Sequence, residues 1–191
     1  DASTRANGTW SGRSDGEEIL PYELNIAAES LLGIDRLLTA HTVLASLRGI
    51  PTYYLSAIEG EPNDMEAAER EGDSRALNRP KHTVATRRAK LIGDRKASRD
   101  ELLRRLNLRR KIPAFHPEAR QHILELESPL LGIIRGEGAS SVEIIANLGF
   151  TEVRCNIPEL RFDLLTSQEI HGELLVAPGD VLWLSTSDAK S

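Results

Sequence analysis

The spacing of the apolar residues changes once along this chain, at Pro113-Ala114-Phe115-His116-Pro117, and no other feature constrains the fold as much. From Ile34 to Arg48 the apolar side chains are Ile34, Leu37, Leu38, Val43, Leu44 and Leu47. Steps of three and four residues place them on one side of a helix. Asp35 is positioned to cap its start and Gly49 to end it. After Pro117 the apolar residues come in short blocks divided by turn residues. Residues 122–126, 131–135, 142–146, 152–157, 162–165 and 181–184 read as strands, and 136–138, 147–149 and 178–180 as turns. The prolines end the helical part because proline lacks an amide donor and clashes with the preceding turn. The chain is therefore expected to divide into an α/β part, residues 1–118, and an antiparallel β-sandwich, residues 119–191.

Within the first part, Gly49-Ile50-Pro51-Thr52-Tyr53-Tyr54-Leu55-Ser56-Ala57-Ile58 is rich in β-formers and reads as a buried strand. An amphipathic helix precedes it. An acidic loop follows, with Glu59, Glu61, Asp64, Glu66, Glu69, Glu71 and Asp73 set against Arg70. Between Arg87 and Lys111 the sign reverses, with eleven Lys or Arg against Asp94, Asp100 and Glu101. Helix, strand, polar loop, helix is the order of an α/β barrel, in which the loops after the strands carry the site. One strand with three or so helices cannot cover both faces of a sheet, so the α/β part reads as incomplete.

Composition narrows the function classes. A net charge of −5 over 191 residues argues against a nucleic-acid partner for the whole chain. The basic stretch 87–111 lacks aromatics for stacking and reads as a solvated helix face, with a nucleic-acid or membrane patch as the alternative. The acidic loop lacks the ligand spacing of a calcium loop and reads as solvated. His41 lies on or near the apolar stripe without a second ligand at helical spacing, which favours a core histidine. The single Cys155 can form no internal disulfide. No apolar run approaches the ~20 residues of a membrane span, and the polar start carries no signal peptide. A cytoplasmic protein without a cofactor or metal is expected. Residues 1–18 and 20–26 read as loops, the second pinned by Leu24 and Ile26. The first residue is Asp, which suggests a piece of something longer, or a processed or truncated chain.

Five segments occur in order: Pro21-Tyr22-Glu23-Leu24-Asn25, Leu47-Arg48-Gly49-Ile50-Pro51-Thr52-Tyr53-Tyr54, Asn63-Asp64-Met65-Glu66, Arg75-Ala76-Leu77-Asn78-Arg79 and Pro113-Ala114-Phe115-His116-Pro117. Together they resemble the C-terminal third of the sucrose phosphorylase group, which includes glucosylglycerate phosphorylases, in the α-amylase superfamily. The resemblance implies the end of a (β/α)8 barrel followed by a small β domain. Gly49–Ile58 would be the eighth barrel strand and Ile34–Arg48 the seventh helix. It also implies a retaining α-glucosyl transfer to phosphate, with a small carbohydrate as the other substrate. The catalytic carboxylates of the family would lie upstream of Asp1, so no acid of this chain is assigned to catalysis. Arg75 matches the family's arginine for the glucosyl hydroxyls. Tyr22 and Glu23 match a mobile loop on the acceptor side. Sucrose phosphorylases carry Gln where Glu23 stands and an acid where Leu20 stands, which favours a sibling specificity. Two readings compete: a hydrolase of the same superfamily, and a stand-alone β-rich carbohydrate-binding or interaction module. Trp183, in an apolar strand, reads as core rather than as a sugar platform.

Overall fold

The computed structural model describes residues 7–14 and 16–186, which form two compact units. One comprises the chain up to Leu38 together with Tyr53–Glu101. The other comprises Thr39–Thr52 and the chain from Leu102 onward.

The first unit opens with an antiparallel hairpin of β1 (Thr9–Ser14) and β2 (Ile19–Asn25), with Thr9 opposite Asn25 and Ser14 opposite Ile19. Both strands fall where the sequence reading expects loops. Gly12, Gly16 and Pro21 weaken the local strand signal, and the hairpin forms through its cross-strand pairs rather than through propensity. A β-carbon at Gly12 would come within 2.2 Å of Ile19 Cγ2, so a larger residue there needs the exposed Ile19 side chain to shift. The register shifts between Ser11 and Gly12, so that Ser11 opposes Glu23 while Gly12 opposes Pro21. Tyr22 is thus the extra residue of a β-bulge, a device that re-aims a side chain.

Short helices follow: α1 (Ala28–Leu32), the start of α2 (Ile34–Ser46), α3 (Leu55–Ile58) and α4 (Met65–Glu71). A 3₁₀ turn at Ser74–Leu77, α5 (Val84–Lys90) and the start of α6 (Gly93–Arg109) complete the unit. The expected strand over Gly49–Ile58 is not formed. Tyr54 keeps extended angles (φ −67°, ψ 140°), but the segment belongs to no ladder and Leu55–Ile58 is helical. A barrel strand is held by neighbours on both edges, and no described residue of this chain supplies one.

The second unit is a six-stranded antiparallel sheet backed by helix. Its strands are β3 (Gln121–Leu124), β4 (Leu130–Arg135), β5 (Val142–Asn147), β6 (Val153–Asp163), β7 (Gln168–Val176) and β8 (Val181–Thr186), in the order β3-β4-β5-β8-β6-β7. The expected strand 152–157 and the first two residues of the one expected over 162–165 belong to one long β6, while Leu164 and Leu165 turn away from it. Its pairing with β7 shifts between Ile157 and Arg161, where Pro158 has no amide to give the ladder. β7 escapes the sequence reading because Gln168, Glu169, His171, Gly172 and Glu173 dilute its alternation.

The sandwich is made by one hydrogen-bonded sheet folded on itself. Among the described residues, the β6–β8 ladder pairs Arg161–Asp163 with Leu184–Thr186. Further along β6, Cys155 and Ile157 pack with Val176 on β7 and with Ile145, Leu182 and Leu184 on the outer faces of β5 and β8. The opposite face carries Ile133, Val142, Ile144, Ala146, Val181 and Trp183. These pack against Ala45 of α2, Ala114 and Phe115, with Leu106 and Leu108 of α6 at the edge. The Phe115 and Trp183 rings meet at 4.6 Å, tilted by 49°. The helical backing of the sheet therefore comes from residues that the sequence reading groups with the barrel.

Candidate functional site

Arg75 and Glu23, 52 positions apart, meet in the first unit. Asp73 caps the Ser74–Leu77 turn, its carboxylate accepting from the Arg75 amide at 2.9 Å. Below the turn, Asn25 is wholly buried on β2 and donates from Nδ2 to Ser11 Oγ (3.0 Å) and Ser74 Oγ (3.3 Å). The two hydroxyls are 3.0 Å apart. This polar knot fixes the hairpin against the turn. With that register Glu23 Oε2 accepts from Arg75 Nε at 2.9 Å, and Oε1 accepts from Arg79 Nη2 at 3.1 Å. One carboxylate thus bridges two guanidiniums. The hydrogen bond and charge of Glu23 hold the Arg75 guanidinium above its ordinary pKa.

Tyr22 is exposed on its bulge, with the Arg13 guanidinium 5.9 Å from its ring centroid. The structure therefore brings all three expected site residues onto one hairpin and one turn. It joins Glu23 to Arg75 directly, whereas the sequence reading gives them separate duties.

The same unit holds a second polar assembly. Glu59 and Glu61 are buried rather than solvated. Arg87 Nε donates to Glu59 Oε2 at 2.8 Å, and Arg95 Nη2 to Glu61 Oε1 at 2.7 Å. Arg95 Nε also donates to the Glu59 carbonyl at 3.0 Å, and His82 Nε2 lies 3.5 Å from Glu61 Oε2. The reversal of charge sign between the acidic loop and residues 87–111 is the signal for these pairs. Burying a charge is tolerated only with a partner, so acids and bases from neighbouring segments meet. A cleft of about 190 Å³ borders this assembly, lined by Tyr54, Ser56, Glu61, Asn78 and Arg79 among others. Among the described residues no group of three or more His, Cys, Asp or Glu could hold a metal ion. No described helix is long and apolar enough to cross a membrane.

In the second unit, arginines of the basic stretch serve as internal donors. Arg104 bonds the Leu165 carbonyl, Arg105 bonds Thr42 Oγ1, and Arg109 bonds the carbonyls of Ala45 and Gly49. His41 is buried, and desolvation holds its pKa below the ordinary value. Cys155 is a buried free thiol whose pKa burial pushes up, with Glu143 adding to the effect.

The fold matches about a third of the length of two solved carbohydrate-active enzymes, at low sequence identity. The chain is similar to sucrose 6F-phosphate phosphorylase from Thermoanaerobacter thermosaccharolyticum, with a TM-score of 0.68 and 17% identity over 92% of this chain and 34% of that one. An Anoxybacillus α-amylase matches with a TM-score of 0.60 and 15% identity over 85% of this chain and 36% of that one. In sequence, the chain is 35% identical over 163 residues to the glucosylglycerate phosphorylase of Allomeiothermus silvanus, covering 80% of this chain and 27% of the relative. It is 29% identical over 190 residues to the glucosylglycerate phosphorylase of Escherichia coli, covering 92% of this chain and 34% of that protein. It thus resembles the sucrose phosphorylase and glucosylglycerate phosphorylase group, and it spans about a third of the length of these relatives. No protein-family model matches the chain.

Proposed function

We propose that this chain is the C-terminal part of a retaining α-glucosyl-transferring phosphorylase that acts on an α-glucoside, of the glucosylglycerate type, with inorganic phosphate. The observation that carries the reading is the 35% identity to a glucosylglycerate phosphorylase over four fifths of the chain. The departure from sucrose phosphorylase at Leu20 favours glucosylglycerate over sucrose. In this reaction a carboxylate attacks C1 of the glucosyl group while an acid protonates the departing oxygen. Phosphate then attacks C1 of the glucosyl-enzyme, its proton passes to the former acid, and α-glucose 1-phosphate leaves. Those carboxylates belong to the part of the enzyme outside these 191 residues.

This chain contributes binding. Arg75 offers a planar fork suited to paired sugar hydroxyls. Tyr22, exposed on its bulge, faces the acceptor side, with Glu23 beside it. The two-domain boundary near residue 118 and a cytoplasmic location, where phosphate is available as substrate, belong to the same proposal.

The experiment is an assay of the complete protein with glucosylglycerate, sucrose and sucrose phosphate, with and without inorganic phosphate. Phosphate-dependent release of glucose 1-phosphate from glucosylglycerate is expected. Release of free glucose at the same rate in the presence and absence of phosphate identifies a hydrolase of the same superfamily instead.

A further inference from the structure

We infer that Glu23 is a positioning residue for Arg75, with Arg79 as its second anchor, rather than a contact to the acceptor. The inference rests on the proposed role of Arg75 in holding the glucosyl ring. The geometry itself is independent of that role. Each oxygen of Glu23 already accepts a charge-assisted bond, one from Arg75 Nε and one from Arg79 Nη2. The carboxylate is the shielded member of the cluster: the Glu23 side chain is 22% exposed, against 52% for Arg75 and 49% for Arg79. A carboxylate placed for an acceptor would be the exposed member.

Arg75 is meanwhile held twice. Asp73 caps its backbone amide and Glu23 takes its Nε, while the described side-chain bonds of Arg75 leave Nη1 and Nη2 for another partner. A guanidinium is planar, so fixing Nε fixes the direction of both Nη groups. The buried Asn25–Ser11–Ser74 knot sets the distance between the strand that carries Glu23 and the turn that carries Arg75. Arg79 neutralises the remaining lone pairs and keeps the carboxylate from rotating away.

The test uses the complete protein with Glu23→Gln, Glu23→Asp, Arg75→Lys and the Glu23→Gln/Arg75→Lys double variant. Donor hydrolysis in the absence of acceptor reads the glucosyl half alone, and an acceptor panel reads the other half. Glu23→Gln is expected to lower kcat/KM for donor hydrolysis about tenfold or more, with an unchanged melting temperature and an unchanged ranking of acceptors. In the Arg75→Lys background it should cost almost nothing further, since the group it positions is gone. Glu23→Asp should recover part of the loss.

A second readout needs no activity: phenylglyoxal labelling of Arg75, followed by mass spectrometry, should speed up in Glu23→Gln. An altered acceptor ranking, additive losses or an unchanged labelling rate overturns the inference. If the protein transfers no glucosyl group, the proposed function fails, and the labelling rate still decides whether Glu23 holds Arg75.

Discussion

The indole Nε1 of Trp183 donates to Ser46 Oγ at 2.9 Å, joining the central strand of the sheet to the last turn of the helix behind it. Both residues are fully buried. Ser46 in turn donates to the Thr42 carbonyl at 2.8 Å, and the Ser46 carbonyl accepts from Arg135 Nη1 at 2.9 Å. A buried donor that loses its partner forfeits its full hydration, so Ser46→Ala should destabilise the protein by about 1–3 kcal/mol. Trp183→Phe in the same background should add less than in the wild type. Urea melts of the four proteins in the cycle check this, and strictly additive losses would mean that the bond contributes nothing.

Arg135 is the largest charged side chain in that core. Its Nη1 and Nη2 bond the carbonyls of Ser46 and His116, and the Phe115 ring lies 5.9 Å from its guanidinium carbon. Burial, with Arg109 and Arg48 nearby, holds its pKa below the ordinary arginine value. Removing a buried group that satisfies two carbonyls is worse than replacing it by an apolar side chain of like volume. Arg135→Ala should therefore cost about 3 kcal/mol or more, the cavity adding to the orphaned carbonyls. Arg135→Met should cost clearly less. Equal melting temperatures for the two variants would refute this.

Glu61 and Arg95 form a shielded pair at 2.7 Å, and the Arg95 side chain is still 23% exposed. With that partial solvation, Glu61→Gln should cost about 1–3 kcal/mol rather than the full penalty of a deeply buried break. Arg95→Met combined with Glu61→Gln should be milder than the sum. The same unfolding measurements, repeated at high salt, should show little screening, because the Glu61 carboxylate is buried and only the Arg95 end of the pair meets water.

His41 makes stability depend on pH in a defined direction. Its folded pKa lies below 6.5 because burial disfavours the imidazolium, while the unfolded chain titrates near 6.5. As pH falls below 6.5 the unfolded state binds the proton first, so stability is lost with acid and is level above that value. His41→Gln should flatten this limb between pH 6.5 and the folded pKa. A wild-type limb that survives the substitution unchanged would assign it to other groups.

The 191-residue chain expressed alone should bind hydrophobic dyes and show no phosphorolysis of any glucoside. Trp10, Ile19, Ile50, Tyr54 and Leu55 are each more than half exposed, at 57%, 79%, 80%, 73% and 56%. Large apolar side chains exposed to that degree give the dye places to bind. A monomer that melts cooperatively, binds no dye and forms glucose 1-phosphate would contradict this.

What the residues determine by themselves is what rests on local rules. Alternation with turn punctuation gives β4, β5 and β8 within a residue or two, and the three-and-four spacing with Gly49 gives α2. Ordered short motifs gave the likeness to the phosphorylase group, because motif order survives where overall identity is low. Tertiary structure alone decided the rest. The β1–β2 hairpin exists through its ladder and the Asn25 knot, despite weak propensity. Gly49–Ile58 has strand propensity yet forms no strand, because hydrogen bonds to neighbours, not side-chain preference, hold a strand in place. The meeting of Glu23 with Arg75 and of Glu61 with Arg95 joins residues 52 and 34 positions apart. Sequence shows that such charges exist. Only the folded chain decides which acid must neutralise which base, because the cost of burying them is set by where the backbone carries them out of water.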